Sequence, residues 1–282
     1  MGPPHMEMAL EALPSLAWGT LVLRPYVFAF LAVFLGAGAR DLGLRRALGF
    51  LLWGFAVAFG AEWASTRVGV PFGLYHYTGL TRGAELYLSN VPFFDSLSFP
   101  FLAYAAFCVA RWALPPRDAI GRVAIAGAAM MLLDVVIDPL AVRGERWFLG
   151  RVFYYPTGGA YFGVPLSNFA GWLVVGWTIV GGYVAATSRR LPASKRAREG
   201  SPRRGIALYG GVLVFNLALT WWIGETRLFI AGIMVHSGSF LLLYGVRVAS
   251  AATSEFGRAE RSGHALGRVG PSTERRGGIE RP

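Results

Sequence analysis

Cysteine, lysine and charge are all scarce in this chain of 282 residues. Cys108 is the single cysteine, so no internal disulfide can form, and within its apolar block it reads as a small hydrophobe. Lys195 is the single lysine, which leaves a net charge of +11 resting almost wholly on arginine. Charged residues make up 15% of the chain, well short of the roughly one quarter that clothes a soluble domain, so much of the surface must face lipid. No Gly-x-Gly-x-x-Gly turn follows a strand and no Walker sequence occurs, so nucleotide binding has no support. His236 has no histidine, acid or cysteine partner at ligand spacing, and a metal site needs three or more converging ligands. It reads as a packing residue, and no metal site is expected. Residues 1–14 lack a basic segment and carry Glu7 and Glu11, which argues against a signal peptide.

What the chain has instead is apolar residues, 54% of the total, gathered into blocks of membrane-spanning length. The predicted fold class is all-α: a polytopic membrane protein of about seven spans, at 21–39, 47–66, 92–112, 119–139, 164–187, 206–223 and 228–249. The division is an N-terminal segment 1–20, a transmembrane domain 21–249 and a disordered basic tail 250–282. Arg24 stands near the start of the first span, from where it can snorkel to the headgroups. Pro100 predicts a kink or break in the third. The basic residues crowd into the one-two, three-four and five-six links, the last holding seven of them with one acid. That pattern excludes nucleic acid as partner and sets these links and the C-terminus in the cytoplasm, with the N-terminus outside.

This orientation brings Glu62, Asp95, Asp134, Asp138 and Asn168 to the same, outer end of their spans. Four carboxylates at one depth are costly in hydrocarbon and point to function. The two long outer connections also resemble each other. Residues 72–101 and 152–174 each contain paired tyrosines, then Thr-Gly, then Val-Pro opening the next span, with Asp95 or Asn168 three residues past the proline. Spans two-three and four-five are therefore expected to be parallel copies of a two-helix unit.

At these positions the chain resembles the family of carotenoid biosynthesis membrane proteins that includes the carotenoid 1,2-hydratases and bisanhydrobacterioruberin hydratase. The resemblance rests on Glu62, Gly69, Pro71, Phe72, Gly73, Tyr75 and Tyr77, then Val91, Pro92, Asp95, Phe99 and Pro100. It continues through Asp134, Asp138, Pro139, Tyr154, Gly163, Val164, Pro165, Asn168 and Trp172, covering spans two to five well and the chain ends weakly. It implies addition of water to the terminal 1,2 double bond of an acyclic ψ-end group, as in lycopene, a γ-carotene-like compound or a bisanhydrobacterioruberin-like polyene. It also implies no cofactor, a polyene substrate, contact with lipid, and a place beside other enzymes of carotenoid synthesis.

Hydrating such an alkene needs an acid that protonates one carbon and a base that takes a proton from the attacking water. Asp95 is the first candidate donor, with Glu62 and Asp138 to polarise it and to orient water; Asp134 shares a helix face with Asp138 at i,i+4. Each has a plainer reading: Asp95 as a helix cap, Glu62 as a partner of Arg67, Asp134 as a neutraliser of an arginine, Asn168 as a bond to opposing backbone. Tyr75, Tyr77, Tyr154 and Tyr155 are candidates for the mouth of the site, and Trp63, Phe93, Phe94 and Trp172 for stabilising a cation, against the alternative of an interfacial aromatic belt. His76 is a further candidate acid or water ligand. Two other functions fit the pattern: a membrane lycopene cyclase, in which an internal double bond captures the cation, and an ion-coupled transporter. The cytoplasmic halves of spans one, six and seven hold few ionisable residues, which speaks against a transport path.

Overall fold

The computed structural model describes residues 3–190 and 200–266. Among the described residues eight α-helices carry the fold: α1 Pro3–Leu23, α2 Pro25–Asp41, α3 Leu44–Val68, α4 Phe93–Ala113, α5 Ala119–Ala141, α6 Leu166–Arg190, α7 Arg203–Trp222 and α8 Thr226–Leu266. Six of them, α3 to α8, are long and apolar enough to cross a membrane alone, and α2 makes a seventh span when joined to the end of α1, from which it bends by 89°. The protein is a multi-pass membrane protein. Its exterior agrees: Trp18, Leu52, Ile120, Leu166, Val214, Trp222, Met234 and Leu242 all face outward, a surface that only lipid can cover.

Local chemistry sets the helix ends. Asp118 caps α5, its Oδ1 accepting from the Gly121 amide at 2.8 Å. Gly69 stops α3 with a left-handed backbone, φ +75°, that a side chain would strain. Pro25 opens α2, where its missing N–H costs nothing. α4 runs unbroken through Pro100, so the proline expected to kink or break this span is absorbed within the helix. The facing α3 has Gly54 there, and a Cβ on it would stand 3.2 Å from the Pro100 ring.

α4 lies at the centre and is buried along most of its length, with α2, α3, α5, α6, α7 and α8 packed around it. α5 and α6 approach most closely through Gly127 and Gly176, whose backbones leave no room for a Cβ. The connections 69–92 and 142–165 meet over one end of the bundle. There β1 (His76–Tyr77) pairs antiparallel with β4 (Phe153–Tyr154), His76 opposite Tyr154 and Tyr77 opposite Phe153, while β2 (Tyr87–Leu88) and β3 (Val91–Pro92) form a small hairpin. Glu225, in the α7–α8 link, reaches the same end and pairs with Arg143 and Arg146.

Two expectations change. Arg24 does not snorkel: it is 1% exposed at the α1–α2 corner, donating to both Glu85 carboxylate oxygens at 3.0 and 2.8 Å and to the Leu149 carbonyl at 2.7 Å. An arginine beside a proline at a helix break can turn inward, because the bend brings it over the connecting loops. The tail predicted to be disordered from Ser250 is instead helical as far as Leu266, as the continuation of α8. Lys195, its neighbours in 191–199, and residues 267–282 lie outside the described residues.

Candidate active site

Each acid owes its place to a helix end beneath the paired loops. Glu62 sits two turns before the end of α3, Asp95 in the first turn of α4, Asp134 and Asp138 in the last two turns of α5, and Asn168 in the first turn of α6. The helices alternate in direction, so a C-terminal end stands beside an N-terminal one and the groups converge. They form two sets. In one, the Tyr77 hydroxyl lies 2.7 Å from Asp95 Oδ2 and 3.3 Å from Glu62 Oε1, Tyr75 Oη lies 3.2 Å from Tyr77 Oη, and Ser96 Oγ donates to Glu62 Oε2. In the other, the Asn168 amide donates to Asp134 Oδ2 at 2.6 Å and to Asp138 Oδ2 at 2.8 Å. Asp134 Oδ1 is buried and has no hydrogen-bond partner.

Only neutral groups bond these acids. Among the described residues no arginine, lysine or histidine forms an ion pair with any of the four. Four full negative charges buried without a cation would cost several kcal/mol each. The cluster therefore holds protons, and one hydroxyl proton on Tyr77 cannot serve both carboxylates at once. Desolvation pushes Tyr75 and Tyr77 well above the ordinary tyrosine range, as do the neighbouring acids. Tyr155 rises for the same reasons, with Asp138 and Asp134 the nearest charges. All three remain hydroxyl donors.

Two cavities meet at these side chains. The larger, of about 720 Å³, is mostly apolar and is lined by residues of α2, α4, α5 and α7, among them Phe30, Phe94, Phe101, Ile137, Val212 and Phe215. The smaller, of about 300 Å³, is lined by Glu62, Tyr75, Tyr155 and Asn168 with Phe72 and Phe99. Asp95, Asp138, Phe153 and Trp172 line both. The two carboxylates thus stand where a mostly apolar space gives way to one of mixed lining, richer in polar groups. Trp172 stacks on Phe99 with ring centres 4.4 Å apart and 14° between planes, close to Phe72 at 6.1 Å. Gly171 permits this approach, since a Cβ there would meet the Phe72 ring at 2.6 Å.

The sequence profile of the carotenoid biosynthesis proteins matches residues 19–238, a stretch that includes every side chain of both cavities. The chain belongs to that family. It is similar to a bisanhydrobacterioruberin hydratase from Haloarcula japonica, 33% identical over 162 residues, which is 55% of this chain and 52% of the relative. The match thus spans about half the length of that curated relative. No solved structure matches.

The structure brings together all five polar residues expected at the family site and places Tyr75, Tyr77, Tyr155, Phe94 and Trp172 around them. It does not bring in the others. Trp63 is 43% exposed and lies under the Arg67 guanidinium, 4.0 Å from its ring centre. Phe93 packs on Phe55 of α3, and Tyr154 is exposed beside His76 on the far side of the β1–β4 pair. Arg67 does not pair with Glu62; it bonds Asn90 Oδ1 at 2.9 Å and Ser89 Oγ at 3.2 Å. Asn168 bonds carboxylates and not backbone through its amide. Sequence reasoning missed Phe153 and Ser96. Phe153 was accessible through strand alternation: if Tyr75 and Tyr77 share one face of an extended segment, Phe153 and Tyr155 do so in its partner, and Tyr154 turns away. Ser96 carries no such signal. His236 Nδ1 lies 2.9 Å from the Gly232 carbonyl, and among the described residues no group of three or more His, Cys, Asp or Glu could hold a metal ion.

Proposed function

We propose that this chain is a carotenoid 1,2-hydratase. It adds water to the terminal double bond of an acyclic ψ-end group and yields a tertiary 1-hydroxy carotenoid. The observation that carries this reading is the shared wall: Asp95 and Asp138 face a large, mostly apolar cavity on one side and a small one of mixed, more polar lining on the other. The polyene end lies in the first, against Phe94, Phe101 and Phe215, and water occupies the second. Asp95 gives its proton to C2, leaving a tertiary cation at C1 that faces the Trp172 and Phe99 rings. The water oxygen bonds to C1 and its proton passes to Asp138, which the Asn168 amide holds in place. Asp95 recovers its proton from Glu62 through the Tyr77 hydroxyl, and the proton on Asp138 returns to Glu62 through water in the smaller cavity that both line, so the acids end as they began. The sum is one water added, with no redox change and no cofactor called for.

Alternating helix directions and the arginine-rich links support an N-terminus outside, a cytoplasmic C-terminus and a site near the outer face. The loop similarity and the antiparallel pairing of β1 with β4 support a repeated two-helix unit. The test is expression in carotenoid-free cells that make lycopene, followed by chromatography of the pigments. A 1-hydroxy pigment is expected, lost in Asp95→Asn and Glu62→Gln proteins that still insert. Ring-bearing pigment would make the enzyme a cyclase; unchanged lycopene beside hydration of a longer acyclic polyene would change the substrate and keep the reaction.

A further inference from the structure

A third cavity lies on the flank of the bundle, at the opposite end from the acids. It is a groove between the first half of α3 and the last half of α6, lined by Arg45, Arg46, Gly49, Phe50 and Trp53 on one side and Gly182, Tyr183, Ala186 and Thr187 on the other. It encloses about 1280 Å³, part of it open to the outside. Its chemistry is graded. Arg45 and Arg46 are exposed at the mouth, and among the described residues they form no ion pair and no carboxylate lines the groove. Asp41, four residues before Arg45, is buried and bonded to Arg111. Two helical turns further along α3, about 10–12 Å by helix rise, the walls are apolar and end at Trp53.

Small residues make the groove. Gly49 has open space where its Cβ would be, and a Cβ on Gly182 would strike the Trp53 indole at 2.7 Å. The indole is fixed there, donating from Nε1 to the Ile179 carbonyl at 3.1 Å.

We propose that this groove binds one anionic phospholipid, its phosphate on Arg45 and Arg46 and an acyl chain along Gly49, Trp53 and Gly182. Two exposed guanidinium groups, without an ion pair among the described residues, fit the phosphate in charge, and bidentate donors suit its oxygens. The apolar run behind them has no use for a free anion, which argues for a lipid as occupant. The site is separate from the acids and does not depend on the reaction proposed for them.

Brominated lipids quench a tryptophan they touch, and the Trp53 contribution is obtained by subtracting a Trp53→Phe protein. The full-length purified protein is titrated in neutral detergent with brominated phosphatidylglycerol and, separately, brominated phosphatidylcholine. We expect half-quenching of the Trp53 component at roughly ten-fold lower mole fraction of phosphatidylglycerol, in line with the attraction of two basic residues to an anionic headgroup. An Arg45→Gln/Arg46→Gln protein, altered only at exposed positions, should lose that preference. Equal quenching by both lipids, or a preference unchanged in the double variant, would reduce the groove to ordinary lipid contact and overturn the proposal. Abolition of the quenching by inorganic phosphate alone would overturn it in favour of a free-anion site.

Discussion

Two kinds of buried carboxylate stand in one bundle. Glu85 and Asp41 each meet an arginine, Arg24 and Arg111, with both partners of each pair almost wholly enclosed. Glu62 and Asp134 are as deeply buried and Asp95 and Asp138 half-buried, yet these four form no ion pair among the described residues and meet hydroxyls, an amide and one another. The ion pairs join segments distant in sequence: Arg24 ties the α1–α2 corner to both outer loops, and Arg111 joins the end of α2 to the carbonyl of Gly200 ahead of α7. The neutral-donor acids join neighbouring helices, α3 to α4 through Glu62 and Ser96 and α5 to α6 through Asn168. Matched charge joins segments distant in sequence, whereas the unmatched acids are the ones that the proposed hydration uses for its protons, so the two tasks fall to different residues.

That division is open to a direct test. Asp95→Asn keeps an oxygen that can accept from Tyr77 but cannot give a proton, so hydration should fall about 10²–10⁴-fold with yield and thermal unfolding unchanged, read by pigment chromatography beside a melting curve. Arg24→Ala should do the reverse in kind: leaving Glu85 buried alone costs about 3–5 kcal/mol, seen as a lower melting temperature in detergent, and Arg24→Ala/Glu85→Ala together should cost less. Asn168→Ala leaves two carboxylates without their shared donor and should cost about 1–3 kcal/mol while also slowing hydration; a change in stability alone would move Asn168 to the architectural group. The smallest effect is spectroscopic. Tyr75 and Tyr77 hold their protons above the usual tyrosine value of about 10, so tyrosinate absorbance near that pH should be the same in Tyr77→Phe as in the unaltered protein. A smaller absorbance in the variant would mean that Tyr77 ionises like an exposed phenol.

Much of this was legible in the sequence, for identifiable reasons. Span-length apolar blocks announce helices, and acids at matching ends of alternating helices must converge, so Glu62, Asp95, Asp138 and Asn168 could be placed near each other without coordinates. The sorting of acids into paired and unpaired was not legible. Arg24 and Glu85 are brought together by the 89° break at a Leu23–Arg24–Pro25 step, and a sequence pattern cannot distinguish a span that begins at this arginine from a helix that turns there. Asp41 and Arg111 meet because α2 and α4 end at the same level, a relation set by packing. The aromatics were read less well, since tyrosine and tryptophan serve both interface and cavity. Trp63 and Trp172 look alike in the chain, and only the packing of α6 against Phe72 and Phe99 separates them.

The large cavity takes part of its wall from α7, through Val212, Phe215 and Asn216, while the acids come from α3, α4 and α5 and their amide partner Asn168 from α6. Translation delivers these parts in order. A nascent chain that has released α6 already owns its complete set of acids, yet the greasy slot beside them stays gaping until twenty more residues of helix arrive. Premature termination before Arg203 would therefore leave an acid cluster open to the bilayer on the side where the polyene should be gripped, and the last third of the gene governs what the site can hold.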